Sequence, residues 1–187
     1  MIAPIAVLDA CVLYPVVVRD LLLTLATNAV FQPRWSGEIL DEMRRNVLAD
    51  HADIDPTQFD IKLLGAMARR FPNALVTGFE HLIASMDNDP KDRHVAAAAV
   101  HARASMLITD NLRDFGGSAL SRNGVRVMTP AEMVTDLLDN DPDVFRVAIE
   151  QMAARKQHPP MTADEILDAL ARHQSFGALR QAMGDAI

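Results

Sequence analysis

The stretch from Asp87 to Phe115 constrains the fold more than any other part of the chain. It opens with turn residues and continues through the apolar run from Val95 to Val100 and the short apolar segment from Met106 to Thr109. It ends with an acidic loop up to Phe115. This order predicts a helix that starts near Asp89 and leads through a turn into a buried strand. The apolar run leaves no face of the helix suited to water, so we expect the helix to pack closely on a sheet.

Acidic residues follow the two most apolar strand segments. Asp110 and Asp114 come directly after the strand that ends at Thr109, and Asp9 comes directly after the apolar run Ile5–Leu8. The carboxyl ends of strands in an open parallel sheet form the edge where such sheets bind their ligands. The sequence therefore predicts that these carboxylates meet at one edge.

The chain up to Met128 alternates short strand patterns with amphipathic helices, which favours an α/β fold with a parallel sheet covered by helices on both faces. The predicted strands are Ile5–Leu8, Phe31–Trp35, Ala74–Thr77, Met106–Thr109 and Arg126–Met128. Between them, Ser36 is predicted to cap a helix whose apolar stripe places Glu42 at its inward edge.

The character of the sequence changes at Thr129. From there to the end we predict helices only, with caps at Thr129, Asp141 and Thr162. The predicted helices are Pro130–Leu138, Pro142–Lys156, Thr162–His173 and Phe176–Met183. We therefore divide the chain into an α/β domain over residues 1–128 and a C-terminal helical appendage over residues 129–187.

Charge and cysteine content limit the classes of function. The net charge of −7 argues against a general basic coat for nucleic acid, although bound metal ions can supply local positive charge. The single cysteine, Cys11, cannot form an intramolecular disulfide, so a cytoplasmic location is expected. Neither a signal peptide nor a transmembrane helix is predicted, and no membrane association is expected.

Each candidate carboxylate also has a simple structural interpretation. Asp9 could cap the following helix, Asp92 could complete a capping box, and Glu42 could lie at a solvated helix boundary. Asp110 and Asp114 could be ordinary turn residues. Their combination is more informative, because several carboxylates at one sheet edge would repel one another unless a cation joined them. Mg²⁺ and Mn²⁺ prefer oxygen ligands, and such metals assist phosphodiester hydrolysis.

Other phosphate chemistries fit the sequence less well. A haloacid-dehalogenase phosphatase would need a second Asp two residues after Asp9, where Cys11 stands. A response-regulator receiver would need a late lysine, but no lysine lies between Lys91 and Lys156. No glycine-rich phosphate-binding loop is present.

The order of these motifs resembles that of PIN-domain ribonucleases, in particular VapC-type toxins of bacterial type II toxin–antitoxin pairs. The resemblance covers roughly residues 1–130. The matching segments are Val7–Cys11, Trp35–Glu42, Pro90–Val95 and Ile108–Phe115. The tail from about Thr129 is similar to the extra C-terminal helical domain of a longer VapC subgroup.

The resemblance implies a metal-dependent endoribonuclease that uses Mg²⁺ or Mn²⁺. It also implies an RNA substrate, inhibition by a cognate antitoxin protein, and a homodimer. The family's acidic quartet, both catalytic and metal-binding, carries over to Asp9, Glu42, Asp92 and Asp114. Thr109 and Asn111 match the polar residues of the last motif, and together with Arg93 they are candidate contacts to the RNA substrate.

Several alternatives stay open from the sequence. The chain could be a non-catalytic PIN-like module that binds protein or RNA, or a structure-specific DNA nuclease with the same site. Asp110 competes with Asp114 for the fourth acidic position. The helical tail is predicted to contribute to an antitoxin or dimer interface.

Overall fold

A five-stranded parallel sheet forms the centre of the molecule. The structure is a computed structural model that describes residues 3–157 and 159–187. The spatial order of the strands is β3-β2-β1-β4-β5, and every neighbouring pair is parallel. The strands are β1 (Ile5–Leu8), β2 (Gln32–Ser36), β3 (Leu75–Val76), β4 (Met106–Ile108) and β5 (Arg126–Met128).

Eleven helices surround the sheet and form the tail in the described part of the chain. They are α1 (Ala10–Leu13), α2 (Val16–Thr27), α3 (Gly37–Asp50), α4 (Pro56–Phe59), α5 (Gly65–Arg70), α6 (Arg93–His101), α7 (Ala119–Arg122), α8 (Pro130–Asn140), α9 (Pro142–Arg155), α10 (Ala163–Ala171) and α11 (Arg180–Asp185). A π-helical segment, Asp60–Leu64, joins α4 to α5, and 3₁₀ turns lie at Glu80–Ser85, Leu112–Phe115 and Gly177–Leu179.

The predicted α/β fold with a helical C-terminal region is confirmed, and all five predicted strands are present. The central strand β1 is short and apolar because helices cover both faces of a parallel sheet. Its residues Ala6, Val7 and Leu8 are fully buried. The sheet register aligns Leu8 with Ile108, so the residues after β1 and β4 emerge side by side.

The start of the central helix differs from the prediction. Helix α6 begins at Arg93, and Asp92 occupies its N-cap position, whereas the sequence predicted a start near Asp89 and Pro90. The side chain of Asp89 instead accepts a hydrogen bond from the backbone N–H of Lys91, within the turn that precedes the helix. This turn replaces the first helical turn, because the side chain satisfies the backbone locally.

Two of the three caps predicted for the tail are confirmed. Thr129 and Thr162 each form a capping box with the glutamate three residues later. Asp141 makes no capping bond with its side chain, and the last predicted helix is a 3₁₀ turn followed by α11. The predicted joint between Gln157 and Pro160 contains an isolated bridge, and its His158 lies outside the described residues.

The helical tail packs against one stripe of α2. The side chains of Asn28 and Gln151 exchange two amide hydrogen bonds of 3.0 and 3.2 Å. Arg155 donates to Asp20 over 3.0 Å and to Thr24 over 2.6 Å. Buried residues of α9 and α10 belong to the same apolar cluster as the residues of the sheet. The tail is therefore built onto the α/β core and shares its interior.

No helix within residues 3–157 and 159–187 combines the length and the apolar character that crossing a membrane requires.

Candidate active site

Asp9 follows β1 and is held by three hydrogen-bond donors. The backbone N–H of Ala10 donates to Oδ1 over 2.7 Å, and the hydroxyl of Thr109 donates to Oδ2 over 2.7 Å. The thiol of Cys11 also donates to Oδ2, over 3.3 Å. Asp9 therefore caps α1, as the simple interpretation predicted, and its carboxylate is fixed at the carboxyl end of the sheet.

Asp92 lies at the start of α6 but does not cap it. Its side chain makes no hydrogen bond to the helix backbone, so the alternative in which Asp92 completes a capping box is wrong. Its Oδ2 atom is buried and has no hydrogen-bond partner among the described residues. A buried carboxylate oxygen without a donor is costly. This atom is therefore the strongest sign that the site accepts a ligand.

Glu42 and Asp114 complete the set of four acids. Glu42 is half-buried on α3, on the helix whose residues Ile39 and Met43 are buried in the core. Asp114 is half-buried in the 3₁₀ turn Leu112–Phe115, and it accepts a hydrogen bond from the side-chain amide of Asn111. The predicted inward position of Glu42 agrees with its burial.

Three other carboxylates lie near enough to Asp92 to affect its ionisation. Burial, together with the negative charges of Asp9, Asp114 and Glu42, raises the pKa of Asp92 to about 6, and Lys91 acts in the opposite direction. Within residues 3–157 and 159–187, no three His, Cys, Asp or Glu side chains already stand close enough to hold a metal ion. The other three acids are thus near enough to raise the pKa of Asp92, but the group is not drawn together as metal ligands would be.

The side chain of Asp110 contacts the helical tail. Its Oδ2 lies 3.4 Å from Nε2 of His173, and only 7% of its side chain is exposed. Burial raises the pKa of Asp110, and the nearby His173 partly offsets the effect. The charge of Asp114, and not that of Asp110, raises the pKa of Asp92. This geometry favours Asp114 as the fourth acid.

Thr109 and Arg93, both predicted to contact RNA, have other partners. Thr109 is fully buried behind Asp9, and its hydroxyl also accepts a hydrogen bond from the N–H of Asn111 over 3.1 Å. The guanidinium of Arg93 donates to the backbone carbonyl of Asn88 over 3.2 Å. Of the predicted polar contacts, Asn111 is the exposed one.

Cys11 has a role that sequence patterns did not reveal. Its thiol lies 3.3 Å from both Asp9 Oδ2 and the Thr109 hydroxyl, and it accepts a hydrogen bond from the N–H of Asp110. Burial, together with the charge of Asp9, raises the pKa of Cys11 to about 12. The thiol therefore stays protonated, and it donates a hydrogen bond that helps to hold Asp9. The apolar neighbours of Cys11 in the sequence favour a packing residue over a nucleophile, and they give no sign of this hydrogen bond.

Asp87, an acidic residue outside this group, anchors the loop that contains Ser118. Its carboxylate accepts hydrogen bonds from the backbone N–H groups of Ser118 and Ala119, each over 2.9 Å, and from the Ser118 hydroxyl. These donors lower the pKa of Asp87 to about 2. The loop reaches Asp87 closely because Gly117 has φ of +126° and no side chain. The segment before α6 and the loop after β4 are thus joined.

Residues 6–113 match the family model described as PIN domain, and they contain Asp9, Glu42 and Asp92. This match covers more than half of the 187 residues. The chain belongs to the PIN domain family. The resemblance predicted from the four motifs is confirmed, and Asp114 lies just beyond the matched range.

The tail of this PIN-domain protein matches a second model, described as VapC50 C-terminal domain, over residues 130–180. A curated relative from Mycobacterium tuberculosis, named "Putative ribonuclease VapC50", is 39% identical over 103 residues. That match covers 53% of this chain and 61% of the relative, so it spans less than two thirds of the relative's length. No solved structure matches the chain.

Proposed function

We propose that this PIN-domain protein is a metal-dependent endoribonuclease of the VapC type, the toxin of a type II toxin–antitoxin pair. The observation that carries the proposal is the state of Asp92. Burial and three neighbouring carboxylates raise its pKa, and its buried Oδ2 has no partner in the described part of the chain. Such a perturbed acid in a group of acids is typical of a functional site.

The donor set fits a hard divalent cation, since all four side chains offer carboxylate oxygens. Asp9, Asp92, Asp114 and Glu42 would hold Mg²⁺ or Mn²⁺, and binding would draw these acids together. When bound, the metal supplies positive charge that stabilises the phosphate during phosphodiester hydrolysis and lowers the pKa of water. The relative named as a ribonuclease supports RNA as the substrate class.

The residues of the chain have separate tasks in this scheme. Thr109 and Cys11 hold Asp9 Oδ2 from behind, so we assign Thr109 a positioning role in place of the predicted contact with RNA. Asn111 orients Asp114 through its side-chain amide. Asp92 holds a proton below about pH 6 in the metal-free protein and must release it when a cation binds.

Basic residues near the acids are candidates for contact with the RNA backbone. Arg45, Lys91 and Arg113 are exposed, whereas Arg44 is engaged by Asp60 in a bidentate pair of 2.6 and 3.0 Å. We retain Arg93 as a candidate that would first have to leave the carbonyl of Asn88.

A protein partner, either an antitoxin or a second copy of the chain, is part of the same proposal. Val16 and Ile61 expose 60% and 58% of their surface. An open cavity of about 490 Å³ beside Val16 is lined by further apolar groups from α2, α3 and α4, including Val47 and Phe59. Apolar surface exposed beside an open cavity is the kind of feature on which a protein partner can dock, and Val16 both lines the cavity and is exposed. We keep the cytoplasm as the proposed compartment.

The deciding experiment compares RNA cleavage by the wild type, Asp92→Asn and Asp53→Asn with Mg²⁺, with Mn²⁺ and with a chelator. Asp53 is exposed and lies in the linker before α4, so it provides a matched Asp-to-Asn control. We expect a loss of about 100-fold or more in Asp92→Asn alone, as for removal of other electrostatic groups. Equal cleavage by all three proteins would refute the site.

Two further measurements separate the alternatives. Cleavage of a matched single-stranded DNA at the same rate would favour the DNA nuclease. Calorimetry that detects no binding of Mn²⁺ to the wild type would favour a non-catalytic module.

A further inference from the structure

A groove lies between the loop after β4 and the segment that follows α10. The groove has a volume of about 640 Å³. Its lining residues are Asp110, Asn111, Leu112, Arg113, Thr129, Gln174 and Ser175. One wall therefore comes from the loop that carries Asp114, the floor from the end of β5, and the other wall from the helical tail.

The groove adjoins the acidic group directly. Asn111, which lines it, donates to Asp114. A separate open cavity of about 590 Å³ adjoins the acids on the side of Glu42. An RNA strand whose phosphate reaches the acidic group would therefore have open space beside Glu42 and beside Asn111.

The tail wall is fixed by His173. Its Nε2 lies 3.4 Å from Asp110 Oδ2, and its Nδ1 lies 3.0 Å from the Ser175 hydroxyl. The ring also packs edge-to-face on Phe176, with ring centroids 6.1 Å apart, and Phe176 is fully buried. These contacts hold the backbone of Gln174 and Ser175 beside the loop.

The chemistry of the lining suits a nucleotide. Gln174 and Asn111 are exposed amides that can pair with the polar edges of bases or with a 2′-hydroxyl. Arg113 is exposed and can meet a phosphate, and Leu112, 41% exposed, offers an apolar surface to a base or sugar. The one carboxylate of the lining, Asp110, exposes only 7% of its side chain, and its Oδ2 lies 3.4 Å from Nε2 of His173.

We propose that this groove is a binding subsite for RNA nucleotides next to the cleaved phosphodiester, and that His173 is the positioning residue for its tail wall. The proposal rests on the proposed ribonuclease function and extends it to the tail. It gives residues 173–175 a part in substrate recognition.

The test uses the full-length protein and the labelled RNA that the wild type cleaves. Gln174→Ala is compared with Gln181→Ala, which changes an exposed glutamine on the same tail, in α11, away from the groove. We expect Gln174→Ala to raise KM roughly three- to tenfold, the equivalent of about one hydrogen bond, with kcat within about twofold. Gln181→Ala should match the wild type.

Two substitutions, His173→Ala and His173→Gln, test whether His173 positions the tail wall of the groove. His173→Ala should raise KM at least as much as Gln174→Ala, because the whole wall is released. His173→Gln can keep a polar atom near the position of Nε2 and should restore part of the affinity. Melting temperatures measured in parallel confirm that each variant is folded.

Trimming the RNA by one nucleotide at a time from each end supplies a readout that a merely structural role would not give. The affinity of the wild type for RNA should fall when the nucleotide in the groove is removed. The affinity of Gln174→Ala, which already lacks the contact with that nucleotide, should change little when the same nucleotide is removed. If the wild type cleaves RNA while Gln174→Ala and His173→Ala keep its KM at every length, the subsite is refuted and the ribonuclease stands. If the wild type neither binds nor cleaves RNA, the ribonuclease is refuted and the subsite with it.

Discussion

The hydroxyl of Thr109 donates a hydrogen bond of 2.7 Å to Oδ2 of Asp9, across the junction of β1 and β4. Both residues are buried, so no bulk water competes for this bond. The parallel register that pairs Leu8 with Ile108 brings the two side chains together, although 100 positions separate them in sequence. Asp9 therefore owes its orientation to a neighbouring strand.

Removing this hydroxyl should impair the site without disturbing the fold. Thr109→Val keeps the shape of the side chain, and we expect RNA cleavage to fall about 10- to 100-fold, as for other residues that orient metal ligands. Thr109→Ser keeps the donor and should remain close to the wild type. The measurement is the cleavage rate as a function of Mn²⁺ concentration. A Val variant as active as the wild type would show that Thr109 does not orient Asp9.

The acidic group should destabilise the metal-free protein at neutral pH. The pKa of Asp92 is about 6 in the folded protein against an ordinary value of 3.8. The folded state therefore binds this proton more tightly, and the free energy of unfolding falls as pH rises between these values. Asp92→Asn should raise the melting temperature at pH 7.5 and have little effect near pH 3.8. Asp53→Asn is the control, and a lower melting temperature of Asp92→Asn at pH 7.5 would contradict the argument.

Asp87 should contribute stability with the opposite dependence on pH. Its pKa is lowered to about 2 by the N–H groups of the loop that it holds. This stabilisation is complete above the ordinary pKa of 3.8 and is lost as pH falls towards 2. Asp87→Ala should melt below the wild type at pH 6, and the gap should narrow at pH 3. A difference in melting temperature that stays constant across this pH range would exclude the charge of Asp87 as its cause. The control Asp53→Ala should melt at the same temperature as the wild type.

Gly117 should tolerate no side chain, unlike Gly37. A Cβ atom on Gly117 would lie 2.7 Å from Oδ1 of Asp87 and 3.1 Å from its backbone oxygen, and the φ of +126° is unfavourable for other residues. Gly117→Ala should lower the free energy of unfolding by about 1–3 kcal/mol. Gly37→Ala meets no atom within 4 Å and should be neutral or slightly stabilising. Denaturant titration of the two variants tests the difference.

The tail and the α/β region should unfold together. Ile149 on α9 is fully buried and belongs to the apolar cluster that includes the sheet. Ile149→Ala should cost about 2–5 kcal/mol and move a single calorimetric transition of the whole protein to lower temperature. Two transitions, of which only one moves, would support the predicted division at residues 128 and 129 as independent folding units.

A truncation after Met128 that stays folded and still binds its protein partner would exclude the tail from that interface.

The sequence by itself determined the class of fold and the chain positions of the acids. Short apolar runs such as Ile5–Leu8 predict buried strands. A strand whose two faces are both covered by helices has apolar residues at every position, whereas a half-exposed strand alternates apolar and polar residues. Asp9 and Asp114 stand near strand ends, Asp92 stands near a helix start, and Glu42 lies at the inward edge of the apolar stripe of α3. The resemblance to PIN-domain ribonucleases then selected these four acids as the set.

The tertiary structure decided which atoms of these residues are available. Local patterns made Asp92 a capping residue and gave Asp110 the same standing as Asp114. Only the packing of the tail shows that Asp110 faces His173, because that contact joins residues 63 positions apart through α8, α9 and α10. Burial likewise decided the state of Asp92, since desolvation and the approach of three other carboxylates do not exist until the strands are paired.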